Sequence, residues 1–311
     1  MKIKKNLIIY FHAINDAKWF EDVILLLKSK YTLVELSFFE NLDNYQEAKG
    51  SCHITFDDGD RTFYTVVYPL LQKYKVPATI FISPKITVSH ENFWFQEVRG
   101  YDKNAINNIL SRELSLSLEK LNTTRFMNIF KCLTIAQINE IIGLYQKETN
   151  TPPKPFQNMN LSEILEVERS GLVTVGAHTL NHPILKNESN EICYNEIAGS
   201  ISELQQLLGH EVRYFAYPNG TPDYDFGERE IDILKKNNIA IAVSTESKFI
   251  SGNDNRFAFP RLGLTHGNRH FVKMKLLLGA KWEVLKSLLL PSESKNRKRM
   301  ASGFERLKKY N

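Results

Sequence analysis

Asp57 and Asp58 sit side by side at the end of a β-prone run, SCHITFDDG (residues 51–59), and His178 and His182 lie four apart in HTLNHP, directly after a second such run, LVTVGA. Neighbouring side chains of a strand point to opposite faces, but where the strand ends and the backbone turns, both carboxylates can reach one spot. Gly59 permits that turn. Two carboxylates this close repel unless a positive group lies beside them, and a divalent metal bound by one would let the other stay ionised as a base. Taken alone, DDG also reads as a strand followed by an ordinary Asp-Gly turn, and a lone histidine pair reads as structural. Taken together, two imidazoles and one carboxylate are a usual protein complement for a catalytic zinc, leaving positions for water and substrate.

The elements that must position these groups alternate along the chain. Residues 7–12, LIIYFH, read as a first strand ending in His12, and residues 19–29 have helical apolar spacing. Strand character returns at 32–36 and 51–56, followed by a helical segment at 62–74 and a strand at 78–82. After a long interval come a helix at 161–170 ended by Gly171, a strand at 172–177, a helix at 189–208, a strand at 213–217, a helix at 228–237 and a strand at 240–244. Strand, helix, strand in repeated units predicts an α/β fold with a parallel sheet or barrel. The interval around 90–160, with FWF at 93–95, a polar helix-leaning stretch and TPPKP at 151–155, reads as a helical insertion between two barrel units that overhangs the site or forms a surface excursion.

The chain of 311 residues, 42% hydrophobic, suits one large α/β domain or two small ones and has no apolar run long enough to span a bilayer. Its basic start with a short apolar run fits a first strand better than a signal peptide. Cys52, Cys132 and Cys193 are far apart, which predicts free thiols and a reducing compartment. The net charge of +5 is local: residues 291–311 carry seven Lys or Arg against two Glu, and the remainder is neutral. A basic tail on a neutral domain does not resemble a nucleic-acid-binding surface.

TFDDG at 55–59, HTLNHP at 178–183 and FAYPNG at 215–220, in this order, resemble the signature of the polysaccharide deacetylase family, carbohydrate esterase family 4, with the NodB-homology fold. The resemblance extends over most of residues 5–265. It implies a distorted (β/α)7 barrel over 1–270, carrying the helical insertion at about 90–160, with 271–311 as a C-terminal helical extension and basic tail. It further implies that Asp58, His178 and His182 hold the metal, most simply Zn2+, that Asp57 is the general base, and that the backbone N–H of Asn219 faces the developing oxyanion. Two departures follow. Many members carry an arginine in the third motif that holds the base; Ala216 stands there in this FAYP-type chain, and Arg261 is the substitute candidate. Many also carry a late Leu-x-His acid motif, which Leu264-Thr265-His266 matches, whereas a subgroup related to biofilm poly-N-acetylglucosamine deacetylases has moved its acid to an early strand, where His12 stands. His12 is the favoured acid.

The implied activity is metal-dependent hydrolysis of N-acetyl groups on amino sugars of a polysaccharide or glycan precursor. Hydrolysis of a formamide or other small amide, and a catalytically silent carbohydrate-binding protein, are the alternatives; the intact four-residue set argues against silence. Residues 271–290 have amphipathic spacing, with Met274, Leu277, Leu278, Trp282, Leu285 and Leu289 on one face. Helix and tail together predict either a terminal helix packed on the barrel or a cytoplasmic enzyme docked on an anionic membrane.

Overall fold

Three strands bury nearly every residue: β1 (Leu7–Phe11), β3 (Ser51–Phe56), which alternates polar and apolar side chains, and β4 (Ala78–Ile82). Such runs belong to a parallel sheet covered on both faces, not to one with a wet side. The computed structural model, which describes residues 3–41 and 49–279, has this arrangement. The other strands are β2 (Thr32–Leu33), β5 (Val173–Ala177), β6 (Tyr214–Ala216), β7 (Ile241–Val243) and β8 (Leu262–Gly263). All pair in parallel in the order β7-β6-β5-β4-β3-β1-β8, with β2 beside the start of β3.

The sheet curls until its two ends nearly meet. Phe259 pairs with β7 through Phe259 N–H to Ala242 O at 2.9 Å and Ser244 N–H to Phe259 O at 2.8 Å, and three residues later the chain enters β8 against β1. The fold is therefore an α/β distorted barrel. It has eight short strands where about seven were expected, because β2 and β8 are two-residue pairings too brief to leave a periodic signal.

Register brings the chemistry to one rim. Phe11 pairs with Phe56, so His12 and Asp57 follow at one level; Ile82 pairs with Ala177, so His178 follows beside Ser83; Ala177 pairs with Phe215. The carboxyl ends of parallel strands are where such folds gather their functional groups. Helices cover the outside, among them α1 (Ala17–Lys30), whose start is capped by the Asp16 carboxylate accepting from Trp19 N–H. The segment expected as one helix over 62–74 starts as a π-helical turn at Phe63–Val67 and becomes α2 (Tyr68–Tyr74), with Pro69 near its start.

The excursion between β4 and β5 builds a second core. Its helices are α3 (Pro84–Ser89), α4 (Trp94–Glu97), α5 (Lys103–Leu114), α6 (Leu118–Thr123), α7 (Phe126–Phe130) and α8 (Ile135–Thr149). Ile106, Ile109 and Leu110 of α5 pack with Ile138, Ile141 and Ile142 of α8, so a helix pair closes around its own apolar stripe. The chain returns through the bridge of Asp60 with Asn158 to α9 (Leu161–Arg169). The last described helix, Arg269–Leu278, covers the start of the expected helix over 271–290; its remainder and the basic tail lie outside the described residues.

Candidate active site and metal centre

The backbone after β3 explains how adjacent carboxylates serve one site. Asp57 N–H still bonds to Phe11 O at 3.0 Å, and Asp58 then takes a left-handed conformation at φ +72°, followed by Gly59 at +68°. A Cβ on Gly59 would sit 3.0 Å from Ile82 Cγ2, so the turn requires glycine both for its φ and for its closeness to β4. Asp57 stays inside the barrel and Asp58 turns into the rim, both buried.

The histidine loop is held as firmly. His178 N–H bonds to Ile82 O at 2.9 Å and Ser83 Oγ donates to His178 O at 2.9 Å. Thr179 and His182 have φ of +63° and +57°, a tight loop secured by His182 N–H on Thr179 Oγ1 at 3.0 Å. The buried Glu196 carboxylate accepts from Leu180 N–H, Asn181 N–H and Asn181 Nδ2, and Trp94 Nε1 donates to His182 O at 3.0 Å. Phe93 and Phe95 set their rings edge-on to His182 at 5.5 and 4.9 Å.

The result is a buried three-residue cluster. One ligand atom each from Asp58, His178 and His182 lie within 4.8 Å of one another. Asp58 Oδ1 is 3.4 Å from His178 Nε2 and 3.6 Å from His182 Nε2, and it makes no hydrogen bond; His182 Nδ1 is likewise buried without a partner. These separations are long for hydrogen bonds but match donors arranged about a common ion, since ligands ~2.1 Å from tetrahedral zinc lie roughly 3.4 Å apart. His178 Nδ1 donates to Ala216 O at 2.7 Å, which fixes the tautomer and leaves the Nε2 lone pair facing Asp58.

The electrostatics agree with that fit. Burial, with the charge of His178 adding to it, holds His182 down to about 3, a neutral imidazole fit to be a ligand. Burial opposes a charged His178, yet Asp58 and Asp57 outweigh it and raise that imidazole above its ordinary value. Asp58 is pushed up by burial but is carried well below the usual carboxylate range by His178, His12 and His182. The spot attracts positive charge.

Beside it, Asp57 meets a buried guanidinium. Arg261 Nη1 lies 2.7 Å from Asp57 Oδ1 and Nη2 lies 2.8 Å from Oδ2, a two-pronged pair. Arg261 also donates to Thr55 Oγ1 at 3.0 Å and to Ser244 O at 2.9 Å, and its plane lies 4.7 Å from the Tyr10 ring. Burial pushes the Asp57 carboxyl up, and Arg261 more than offsets this, keeping it ionised.

A cavity of about 350 Å³ opens over the cluster, lined by His12, Asp58, His182 and Asn219 from the barrel and by Trp94, Phe95, Arg99 and Lys131 among residues of the excursion. His12 Nε2 lies 3.9 Å from Asp58 Oδ2 on a half-exposed side chain. Asn219 has φ +56° in the turn after β6, tied down by Thr245 Oγ1 on its carbonyl at 2.7 Å. His266 is elsewhere: it meets Asp16 Oδ2 at 3.2 Å and the Trp19 ring at 5.2 Å, and lines a different surface pocket. Ala216 contributes its carbonyl to His178. The sequence reading missed Glu196, a helix glutamate with no signal marking it as a loop clamp, and it assigned no contact to FWF.

Residues 44–242 match the family profile described as "Polysaccharide deacetylase". The match spans Asp57, Asp58, His178, His182 and Asn219, while His12 and Arg261 fall outside it. The poly-beta-1,6-N-acetyl-D-glucosamine N-deacetylase of Staphylococcus aureus (strain MSSA476) is 24% identical over 273 residues, covering 83% of this chain and 72% of that protein. Among solved structures, IcaB from Ammonifex degensii superposes with a TM-score of 0.59 at 17% identity, covering 85% of this chain and 93% of that one. Streptococcus pyogenes deacetylase PplD, in complex with acetate, gives 0.56 at 18% identity, covering 84% and 92%. Both show the same fold.

Proposed function

The chain belongs to the polysaccharide deacetylase family, hydrolases of amide bonds, and from that membership and the geometry of the rim we propose that it removes N-acetyl groups from amino sugars of a glycan with a divalent metal, zinc, held by Asp58, His178 and His182. The observation that carries this reading is the buried convergence of those three side chains beside the Asp57–Arg261 pair, at the floor of an open cavity. The substrate class is supported by relatives named for poly-β-1,6-N-acetylglucosamine, whose scissile group is an acetamide.

When bound there, a divalent ion polarises the acetamide carbonyl and makes water acidic enough to lose a proton near neutrality. Asp57 takes the proton from the attacking water. Arg261 occupies both its oxygens, so the carboxylate cannot rotate away and stays ionised when buried. The backbone N–H of Asn219 is offered to the charge that grows on the carbonyl oxygen. His12, on the open side of the cavity and 3.9 Å from Asp58, supplies the proton that the leaving nitrogen needs as the C–N bond breaks. Ala216 does not bear on the base at all; its carbonyl holds His178.

The test is acetate release from β-linked N-acetylglucosamine oligomers by the full chain as purified, after chelation, and after zinc is restored. The reading expects activity that chelation removes and zinc returns. Acetate release that survives complete metal removal, or none from any N-acetylated oligosaccharide, would overturn it.

A further inference from the structure

The two imidazoles of the cluster are held in different ways. His178 has a ring partner, its Nδ1 bonded to Ala216 O at 2.7 Å, the kind of hydrogen bond that fixes the orientation of a metal-binding histidine. His182 has none among the described residues: its Nδ1 is buried without a hydrogen bond. Its ring also hangs from backbone in the left-handed region, at φ +57°, three residues after Thr179 at +63°. Neither residue is glycine, so the surroundings must hold both conformations.

What holds them is one turn of a neighbouring helix. The helical run Asn190–Leu208 is interrupted by a π-helical turn, Asn195–Gly199. Single π turns are rare inside helices and recur at functional sites. This one carries two contacts to the histidine loop. Glu196 is buried, its Oε2 accepting from Leu180 N–H at 3.0 Å and Asn181 N–H at 2.9 Å, and its Oε1 from Asn181 Nδ2 at 2.5 Å. Gly199 faces Leu180: a Cβ there would lie 3.0 Å from Leu180 Cδ1, so the missing side chain lets the loop settle against the helix. The carboxylate grips the two residues between Thr179 and His182, and Thr179 Oγ1 closes the loop on His182 N–H.

We infer that Glu196 is a positioning residue: by fixing the backbone at 180–181 it aims His182 Nε2 at the cluster, takes the place of the ring partner that this histidine lacks, and so governs how tightly the site holds a divalent ion. The inference rests on the metal-site reading above. A carboxylate suits the task because it accepts all three N–H bonds at once, and bonds to an ionised acceptor are shorter and stronger than neutral ones. Alanine there would strand two backbone N–H groups of the loop and free His182 to turn away from Asp58 and His178. Trp94 on the His182 carbonyl and the edges of Phe93 and Phe95 would remain as its supports.

Zinc affinity of the full chain, measured without substrate by competition with a chromophoric chelator, tests it. Glu196→Ala should bind zinc about 10- to 100-fold more weakly than wild type, the usual loss when the group that orients a metal ligand is removed. Glu196→Gln should recover only part of this, since its amide oxygen still accepts from both backbone N–H groups but its amide nitrogen is set against that of Asn181. The control is Glu230, likewise buried on a helix, which accepts from Gly227 N–H at 2.7 Å and from Arg229 and does not touch the histidine loop. Glu230→Ala should lower the melting temperature and leave zinc affinity unchanged. Should Glu196→Ala not fold, Glu196→Gln carries the test, with weaker zinc binding than wild type expected and equal binding overturning the inference. Wild-type zinc affinity in Glu196→Ala overturns it while the metal centre stands. A loss in Glu230→Ala as large as that in Glu196→Ala does the same, because the effect would then follow stability and not the loop. A wild-type chain that binds no zinc overturns the metal centre and the inference with it.

Discussion

Replacing Arg261 with Met tests whether the base is held by a buried cation, and the structure sets the size of the effect. The guanidinium is fully buried, makes two short bonds to Asp57, and also ties Thr55 of β3 to the carbonyl of Ser244 just after β7. Met fills much of the volume, so cavity formation contributes little, but Asp57 is left buried without its partner. Breaking one side of such a pair costs about 3–5 kcal/mol. At roughly 2–4 °C per kcal/mol for a domain of this size, the melting temperature should fall by about 6–20 °C. Activity should fall by about a hundredfold or more, since a base that swings or takes up a proton cannot serve. Arg261→Lys keeps the charge but not the fork and should recover only part of either loss. The assay is thermal unfolding by circular dichroism together with acetate release, repeated with Asp57→Asn and with the double substitution. In the double substitution no carboxylate is stranded, so its stability loss should be smaller than the sum of the two single losses by about 2 kcal/mol. A melting temperature within about 2 °C of wild type, with additive double-mutant losses, would refute the pairing argument.

Three further predictions bear on separate parts of the molecule. His12→Ala should lower kcat by about a hundredfold with metal retained, while His266→Ala, removed from the cavity and paired with Asp16, should change it little; steady-state kinetics with metal analysis decides, and the reverse result returns the acid to the late motif. His53, buried with Nδ1 on Val34 O and Nε2 on Thr79 Oγ1, is pushed down by burial from 6.5 to about 4, so its neutral form stabilises the fold in full above pH 6.5 and that contribution is lost as pH falls to about 4. That window is worth about 3 kcal/mol, and denaturant unfolding at pH 7 and pH 4.5 should show a smaller pH difference for His53→Asn than for wild type. Deleting residues 291–311, with seven basic and two acidic side chains, should abolish flotation of the full chain with anionic liposomes while neutral liposomes bind neither form; binding to both lipids alike would end the membrane expectation.

How much of this was legible depended on whether a feature was local. The strand at 78–82 was found to the residue and those at 51–56 and 172–177 nearly so, because β-prone runs stand out where Gly, Pro or Asp bounds them, and the 78–82 run is apolar but for Thr79. The strand expected over 32–36 shrinks to Thr32–Leu33, since Leu36 turns inward to start a 3₁₀ turn, a tertiary demand that propensity does not record. Asp57, Asp58, His178 and His182 stood out because two motifs end two strands, and parallel register turns that into proximity. Distances across the barrel were not readable. Glu196 clamps the histidine loop from a helix whose pattern marks it only as another polar position, and Trp94 reaches His182 across 88 residues of chain. The second core was hidden because its apolar positions pair α5 with α8, and a helical stripe does not name its partner.

Metal occupancy, measured without substrate, tests the central claim most directly. The full chain and its single variants are dialysed against zinc, freed of excess and analysed for bound metal. About one zinc per chain is expected for wild type and for Asp57→Asn, and little for Asp58→Asn, His178→Ala and His182→Ala, because only the last three remove a member of the buried cluster. Loss of zinc in Asp57→Asn with retention in Asp58→Asn would reverse the roles of ligand and base, and equal zinc in all five proteins would mean that these side chains do not form the metal site.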